Sequence, residues 1–324
     1  MIFNYSKICS ELLEDLPGRT KDVLSRRFGL KAGQRETLQA IGESYSITRE
    51  RVRQIEMDGI LRLSPGLKKH QKIFQYFNQS LKEFGNLKKE EPLLSQLGGQ
   101  KFNPHVFFLL NLSDRFERFS ENQNLHSLWT IENHSLKTAQ QVIEDFYNKL
   151  LTSNQPLGLK EYNPPFSLNP QALFSYLEVS KLIEQGPEGK FGLREWPEIN
   201  PRGVKDKAYL VFKKEKRPLH FTEVANLISP QALVSTVHNE LIRDPRFVLV
   251  GRGLYALKEW GYQPGTVKDV ITRILKEVGK PLSREKILEE ARKRRIVKEN
   301  TILLNLSNNK YFLRNSRGKY FLKK

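Results

Sequence analysis

One pattern recurs along this 324-residue chain and constrains its fold more than any other feature. Three times a valine stands 14 positions before a Pro-Leu pair: Val142 before Pro156, Val204 before Pro218 and Val267 before Pro281. In the last copy Val267, Val270, Ile271, Ile274, Leu275 and Val278 fall at i, i+3, i+4, i+7, i+8 and i+11, which is one apolar stripe of an amphipathic helix. The proline beyond ends that helix. Each copy then closes on glycine, an aromatic two residues later and leucine two residues after that, in "GKFGLREW", "GLYALKEW" and "GKYFLKK". That is the period-2 pattern of a strand leaving a tight turn. The proline-to-glycine distances of 33, 35 and 37 residues leave room for two more short helices and a first strand. Helix, helix, helix, then a two-stranded hairpin is the winged-helix plan.

A fourth, degraded copy precedes these three. "FLLNLSDRFERFSENQNLHSLW" (Phe108–Trp129) lines up without a gap against "ILLNLSNNKYFLRNSRGKYFLKK", with Leu110, Asn111, Leu112 and Ser113 matching Leu304, Asn305, Leu306 and Ser307. The sequence therefore predicts a mainly α chain: a helix-turn-helix domain at 1–66, then tandem winged-helix units with small β hairpins at 67–134, 135–200, 201–263 and 264–324. The joints "PEINP" (Pro197–Pro201) and "GYQPG" (Gly261–Gly265) carry the proline and glycine of short linkers. Trp129, Trp196 and Trp260 end repeat units, where buried structural indoles are expected.

Charge is unevenly placed. It nets +2 over 1–66, zero over 67–200 and +16 over 201–324, the last from 28 basic against 12 acidic residues. A field of that sign draws polyanions, nucleic acid above all. No run of 18 apolar residues exists, so no transmembrane helix is predicted. The N-terminus lacks the basic start, apolar middle and small-residue cleavage site of a secretory signal. The single cysteine, Cys9, allows no internal disulfide. These features fit a cytoplasmic, nucleoid-associated protein.

The stretch "TLQAIGESYSITRERVRQIEMDGILRL" (Thr37–Leu63) crowds arginines onto one short helix. Leu38 and Ile41 mark the inner face of a first helix, Gly42 to Ile47 make a turn, and the Thr48 hydroxyl can cap the second helix. There Val52, Ile55, Ile60 and Leu63 can face a core. Arg49, Arg53 and Gln54 then lie on the outer face, with Glu50 and Arg51 at its edges. A helix-turn-helix puts such a face into the major groove. Arginine takes guanine bidentately, glutamine suits adenine, glutamate accepts from a cytosine amino group, and Arg51 can instead serve a phosphate.

The longer run from Leu16 to Pro65, with "RTKDVLSRRFGL", "TLQAIG" and above all "ITRERVRQIE", resembles region four of the primary sigma factors of bacterial RNA polymerase. The resemblance implies that Arg49, Glu50, Arg51, Arg53 and Gln54, headed by Thr48, read a minus-thirty-five-like promoter element. It also implies a docking site on the polymerase. Two positions depart from the family: Ala40 replaces an acidic residue, and Gly59 stands inside the helix at a cost of about 1 kcal/mol of helix stability. Only 15 residues precede the match, so the expectation is a regulator that borrowed the module, not a free-standing initiation factor. Residues 201–260, with "RPLHFTEVANLI" and "DPRFVLVGRGLYAL", resemble the HARE-type helix-turn-helix of the delta subunit of some bacterial RNA polymerases. That resemblance implies a DNA- or polymerase-associated adaptor with no chemistry of its own.

Further contacts to DNA are expected from Arg292, Arg294 and Arg295 in "EEARKRRIVK", although charge runs of this kind are usually solvated faces. Arg314, Arg317 and Lys319 lie on the last hairpin, where a wing meets a phosphate. An enzyme is not expected. The six histidines form no HxxxH or HxH pair, no Walker-type loop is present, and the adjacent Glu289 and Glu290 point different ways on a helix. No cofactor or metal is predicted. The expected function is sequence-specific binding of double-stranded, promoter-like DNA in bacterial transcription. The alternative is an adaptor on the RNA polymerase core that binds protein first. A pure scaffold is disfavoured by the +16 segment.

Overall fold

The computed structural model describes residues 3–31 and 33–323. The chain is mainly helical, with small antiparallel sheets, and divides into two compact units, residues 1–195 and 196–324.

In the first unit α1 (Tyr5–Leu13), α2 (Gly18–Phe28), α3 (Leu38–Ser44) and α4 (Arg49–Leu63) come in quick succession. A 3-10 segment, Ser64–His70, then leads into α5 (Gln71–Glu83). There follow β1 (Leu87–Lys89), α6 (Glu90–Asn111), β2 (Glu117–Phe119) and β3 (Leu128–Thr130), the strands pairing antiparallel in the order β1-β3-β2. Gly99, at φ 65° and ψ 169°, breaks α6 into two helices. The unit ends with α7 (Asn133–Ser153), α8 (Pro170–Glu178) and the hairpin β4 (Ile183–Gln185) and β5 (Phe191–Leu193). α8 starts where it does because Asn169 Oδ1 accepts from Ala172 N at 2.7 Å and Pro170 occupies the first helical position.

Residues 1–66 and 67–134, separate domains in the sequence-based division, share one core. Tyr5 and Cys9 of α1, Leu24 and Phe28 of α2 and Leu63 of α4 are buried with Phe77 of α5, Phe108 of α6 and Trp129 of β3. Phe28 meets Phe108 edge-on at 5.0 Å. The cluster that the helix-turn-helix buries apart from this core is small, made of Val23, Ile41 and Val52. A module that small exposes most of its surface when alone, so it gains from covering α1 and α2 with a neighbour.

Gly59 gains a reason here. It lies on α4 where that helix crosses α2, and a Cβ there would come 2.7 Å from Thr20 Cγ2 and 3.0 Å from Leu24 Cδ1. The glycine lets the two helices approach. Gly59→Ala would add about 1 kcal/mol of helix propensity but overpack a contact worth about 1–3 kcal/mol of strain. The expected result is a lower melting temperature, with most of the loss recovered when Thr20→Ser removes the opposing methyl. A variant melting above the parent chain would contradict this account.

The second unit contains α9 (Gly203–Glu215), β6 (Leu219–His220), α10 (Phe221–Ile228), α11 (Val234–Arg243), β7 (Phe247–Leu249) and β8 (Leu254–Leu257). Its sheet order is β6-β8-β7. Then come α12 (Val267–Val278), α13 (Arg284–Arg294), α14 (Glu299–Leu306) and the hairpin β9 (Phe312–Arg314) and β10 (Tyr320–Leu322). The apolar stripe of α12 buries Val270, Ile271, Ile274 and Leu275. Each repeat-closing glycine sits in its hairpin at positive φ: Gly189 at 77°, Gly253 at 69° and Gly318 at 75°. Only glycine adopts that backbone without strain, which is why the motif opens on it. Of the three tryptophans Trp129 is 1% exposed, while Trp196 and Trp260 are half-buried. Among the described residues no helix is long and apolar enough to cross a membrane.

Candidate nucleic-acid interface

α3 and α4 are both capped by threonine. Thr37 Oγ1 accepts from Ala40 N and Thr48 Oγ1 from Arg51 N, each at 3.1 Å. The turn between them is tight: Ile47 N donates to Gly42 O at 3.0 Å and Ser46 takes φ 53°. A Cβ on Gly42 would lie 2.7 Å from Ile47 O, so the turn closes this far only over a glycine.

The inner faces are those expected. Ile41 and Val52 are buried with Val23 of α2, and Leu38, Tyr45, Ile47 and Ile55 pack against them. Side chains that sequence reading did not single out hold α2 in place. Arg26 grips Glu36 through Nε at 2.8 Å and Nη2 at 2.7 Å and reaches Ser44 Oγ at 2.8 Å. Its guanidinium holds the Glu36 carboxyl below the usual carboxylate range. Tyr45 donates to Asp22 at 2.8 Å. Arg27 Nε lies 3.4 Å from Glu56 of α4, whose carboxyl burial pushes up. These partners are 10 to 29 positions apart in sequence, a spacing with no helical period to betray it.

Arg49, Glu50, Arg51, Arg53 and Gln54 are all exposed on the first turns of α4. Arg53 donates to both Glu50 oxygens at 2.9 and 2.7 Å, and Arg51 Nη1 to Gln54 Oε1 at 3.0 Å. The Arg53 hydrogen bond holds the Glu50 carboxyl below its ordinary range. Pairs this exposed are weak and give way to a stronger partner. The row thus offers fork donors, an amide and an acceptor at a helix N-terminus, where the backbone dipole also favours phosphate.

The C-terminal candidates divide. Arg294 and Arg295 are only partly exposed, and their guanidinium groups are engaged by the chain itself. Arg294 Nη1 donates to Glu277 Oε2 at 2.7 Å. Arg295 Nη1 donates to the carbonyls of Leu249, at 3.0 Å, and Gly265. Ile296 N reaches Val250 O at 3.1 Å and Gln263 N reaches Arg294 O at 3.2 Å, so this segment latches α13 to β7. Burial lowers the affinity of the Arg295 guanidinium for its proton. Arg292 is exposed but shares Glu299 with Arg284, at 2.9 and 3.3 Å. Arg314, Arg317 and Lys319 lie exposed on the last hairpin, and none has a carboxylate partner among the described residues.

Two capped helices closed over a glycine turn, the second carrying an outward row of arginine, glutamate and glutamine, define a helix-turn-helix module. Residues 12–64, which hold it, match the family model Sigma-70, region 4. The stretch is 43% identical over 53 residues to the RNA polymerase sigma factor SigA of Nostoc sp. and to that of Lactococcus lactis subsp. cremoris. It is 44% identical over 52 residues to that of Microcystis aeruginosa. Each match covers 16% of this chain and 14%, 15% and 12% of the respective relative.

Proposed function

We propose that the chain is a transcription regulator that reads a promoter-like element in double-stranded DNA through α4. The observation that carries this is the row Arg49, Glu50, Arg51, Arg53 and Gln54, headed by the Thr48 cap and exposed on a helix whose opposite face is packed on α2 and α3. The likeness of residues 12–64 to Sigma-70, region 4 supports it.

Residues 67–134, 135–200, 201–263 and 264–324 act as winged-helix units in this reading, those at 201–260 of the HARE type. Support comes from the recurring order of helices and closing hairpin, with a glycine at positive φ in three of the four. The +16 of 201–324 then supplies phosphate contacts, with Arg292, Arg314, Arg317 and Lys319 the exposed candidates. Arg294 and Arg295 serve instead to hold the last two units together.

The test is a fluorescence anisotropy titration of the full chain with a duplex carrying a minus-thirty-five-like hexamer and with a scrambled duplex, at several salt concentrations. Specific reading predicts a preference of about 4 kcal/mol or more for the hexamer. In the variant Arg314→Ala, Arg317→Ala and Lys319→Ala, the log–log salt slope should fall by up to about 0.9 per lost phosphate contact. An unchanged slope would remove the hairpin from the interface.

A second reading rests on Met57 and Leu61, which are 49% and 68% exposed one turn apart on α4. Apolar side chains held out together favour a protein contact. There the chain is an adaptor on the RNA polymerase core. Arg49→Ala with Arg53→Ala would then leave polymerase association intact, while Met57→Ser with Leu61→Ser would weaken it.

A further inference from the structure

A cavity of about 550 Å³ opens in the first unit, away from α4. That is within the size range of small-molecule sites. Its walls are the loop ahead of β3, one face of α7 and the turn between α8 and β4. Backbone bonds fix two of these walls together: Leu125 bridges Ser180, His126 N donates to Val179 O at 2.9 Å, and Lys181 N to Asn124 O at 2.8 Å. Such a cavity is formed before anything enters it, which spares the ligand the cost of ordering it.

The lining has a particular chemistry. Ile143, Tyr147 and Leu182 supply flat and apolar surface, with Leu182 44% exposed although it lines a cavity. Gln140 supplies an amide and Glu144 a carboxylate that has no basic partner among the described residues. Ser180 is 2% exposed. Its oxygen accepts from Leu182 N at 3.1 Å and Ile183 N at 3.3 Å, and its O–H has no acceptor among the described residues. Among the described residues no lysine or arginine lines the cavity. Lys181, between the lining residues Ser180 and Leu182, is spent on Asn122 O and Glu121. A phosphate therefore finds no cation here. A planar, uncharged ring finds apolar walls, a carboxylate that only accepts, and a hydroxyl and an amide that donate.

We propose that this cavity binds a nucleobase with adjacent N–H donors, that is guanine, its two donors on Glu144 and its carbonyl edge toward Ser180 and Gln140. A free nucleoside and an unpaired base in a single strand offer the same ring. The site shares no residue with α4, so this inference and the reading of α4 stand or fall separately.

The experiment titrates the full chain with guanosine and adenosine by saturation-transfer NMR. It then titrates a single-stranded thymidine run carrying one central guanine or one central adenine. Guanosine should bind saturably, and Glu144→Gln should weaken it by about tenfold, as expected for loss of a charge-assisted hydrogen bond. Binding of the duplex hexamer should not move. Tighter binding of the guanine-bearing strand than of guanosine would support the inference with the single strand as the source. The reverse order would support it with the nucleoside as the source. No saturation by either guanine probe, or equal binding of guanosine and adenosine with no response to Glu144→Gln, would overturn it.

Discussion

Replacing Arg49 and Arg53 together by alanine should collapse the hexamer preference while leaving the fold and the melting temperature unchanged. Both side chains are exposed and neither touches the core. A good bidentate arginine–base pair contributes about 1–3 kcal/mol of discrimination, so the two arginines together account for roughly thirtyfold or more. The single variants should differ. Arg49→Ala removes a cation, whereas Arg53→Ala also releases Glu50, which Arg53 holds by two hydrogen bonds. A freed carboxylate facing DNA repels phosphate, so Arg53→Ala should lose more affinity and show the shallower salt slope. Anisotropy with hexamer and scrambled duplexes measures all three variants. A preference that survives the double substitution would move the reading surface off this helix.

Phe108→Ala should have the larger effect on stability and should reach the same DNA binding from 50 or more residues away in sequence. Phe108 is fully buried in α6 and meets Phe28 of α2 edge-on at 5.0 Å. Truncating a buried phenylalanine costs about 3–5 kcal/mol. Because that core also holds α1, α2 and the end of α4, the helix-turn-helix should loosen in the same transition and hexamer binding should go with it. Val237→Ala, which empties a buried position of α11 in the other unit, serves as the control. It should lower stability yet leave the hexamer preference in place. Melting followed by circular dichroism, with proteolysis at the α3–α4 turn, separates these outcomes. A Phe108→Ala chain that still discriminates the hexamer would show that residues 12–64 stand on their own packing.

What could be read from sequence follows from the range of the interactions involved. The α4 row and its cap were legible because a helix repeats every few residues, and Thr48 acts on the amide of Arg51 three positions away. The hairpins were legible because each needs one glycine at one offset from its strand. α7 reaches further than the repeat pattern shows: Val142, where that pattern begins, lies well inside Asn133–Ser153. The added turns bury Ser135, Thr138 and Ala139, small side chains that leave no apolar stripe. The shared core was hidden because α1 is amphipathic in either arrangement, and its partner Phe77 lies some seventy positions on. Arg295 looked like one cation in a run. Only the folded chain brings the carbonyls of Leu249 and Gly265 to it. Gly59 looked like a weakness in α4, and Thr20 shows it to be a point of close approach.

The two hairpins that close on Gly189 and Gly318 are built alike. Gly186 N bonds Lys190 O at 2.8 Å and Gly189 N bonds Gly186 O at 3.0 Å, while Asn315 N bonds Lys319 O at 2.9 Å and Gly318 N bonds Asn315 O at 3.0 Å. Just ahead of the glycine stands Glu188 in one and Arg317 in the other, both exposed. The backbone that forms the bend makes no use of that side chain. The tip is therefore an interchangeable fitting on a common bracket: one copy can repel a polyanion and another attract it, and either can be converted by a single codon without disturbing the frame that carries it.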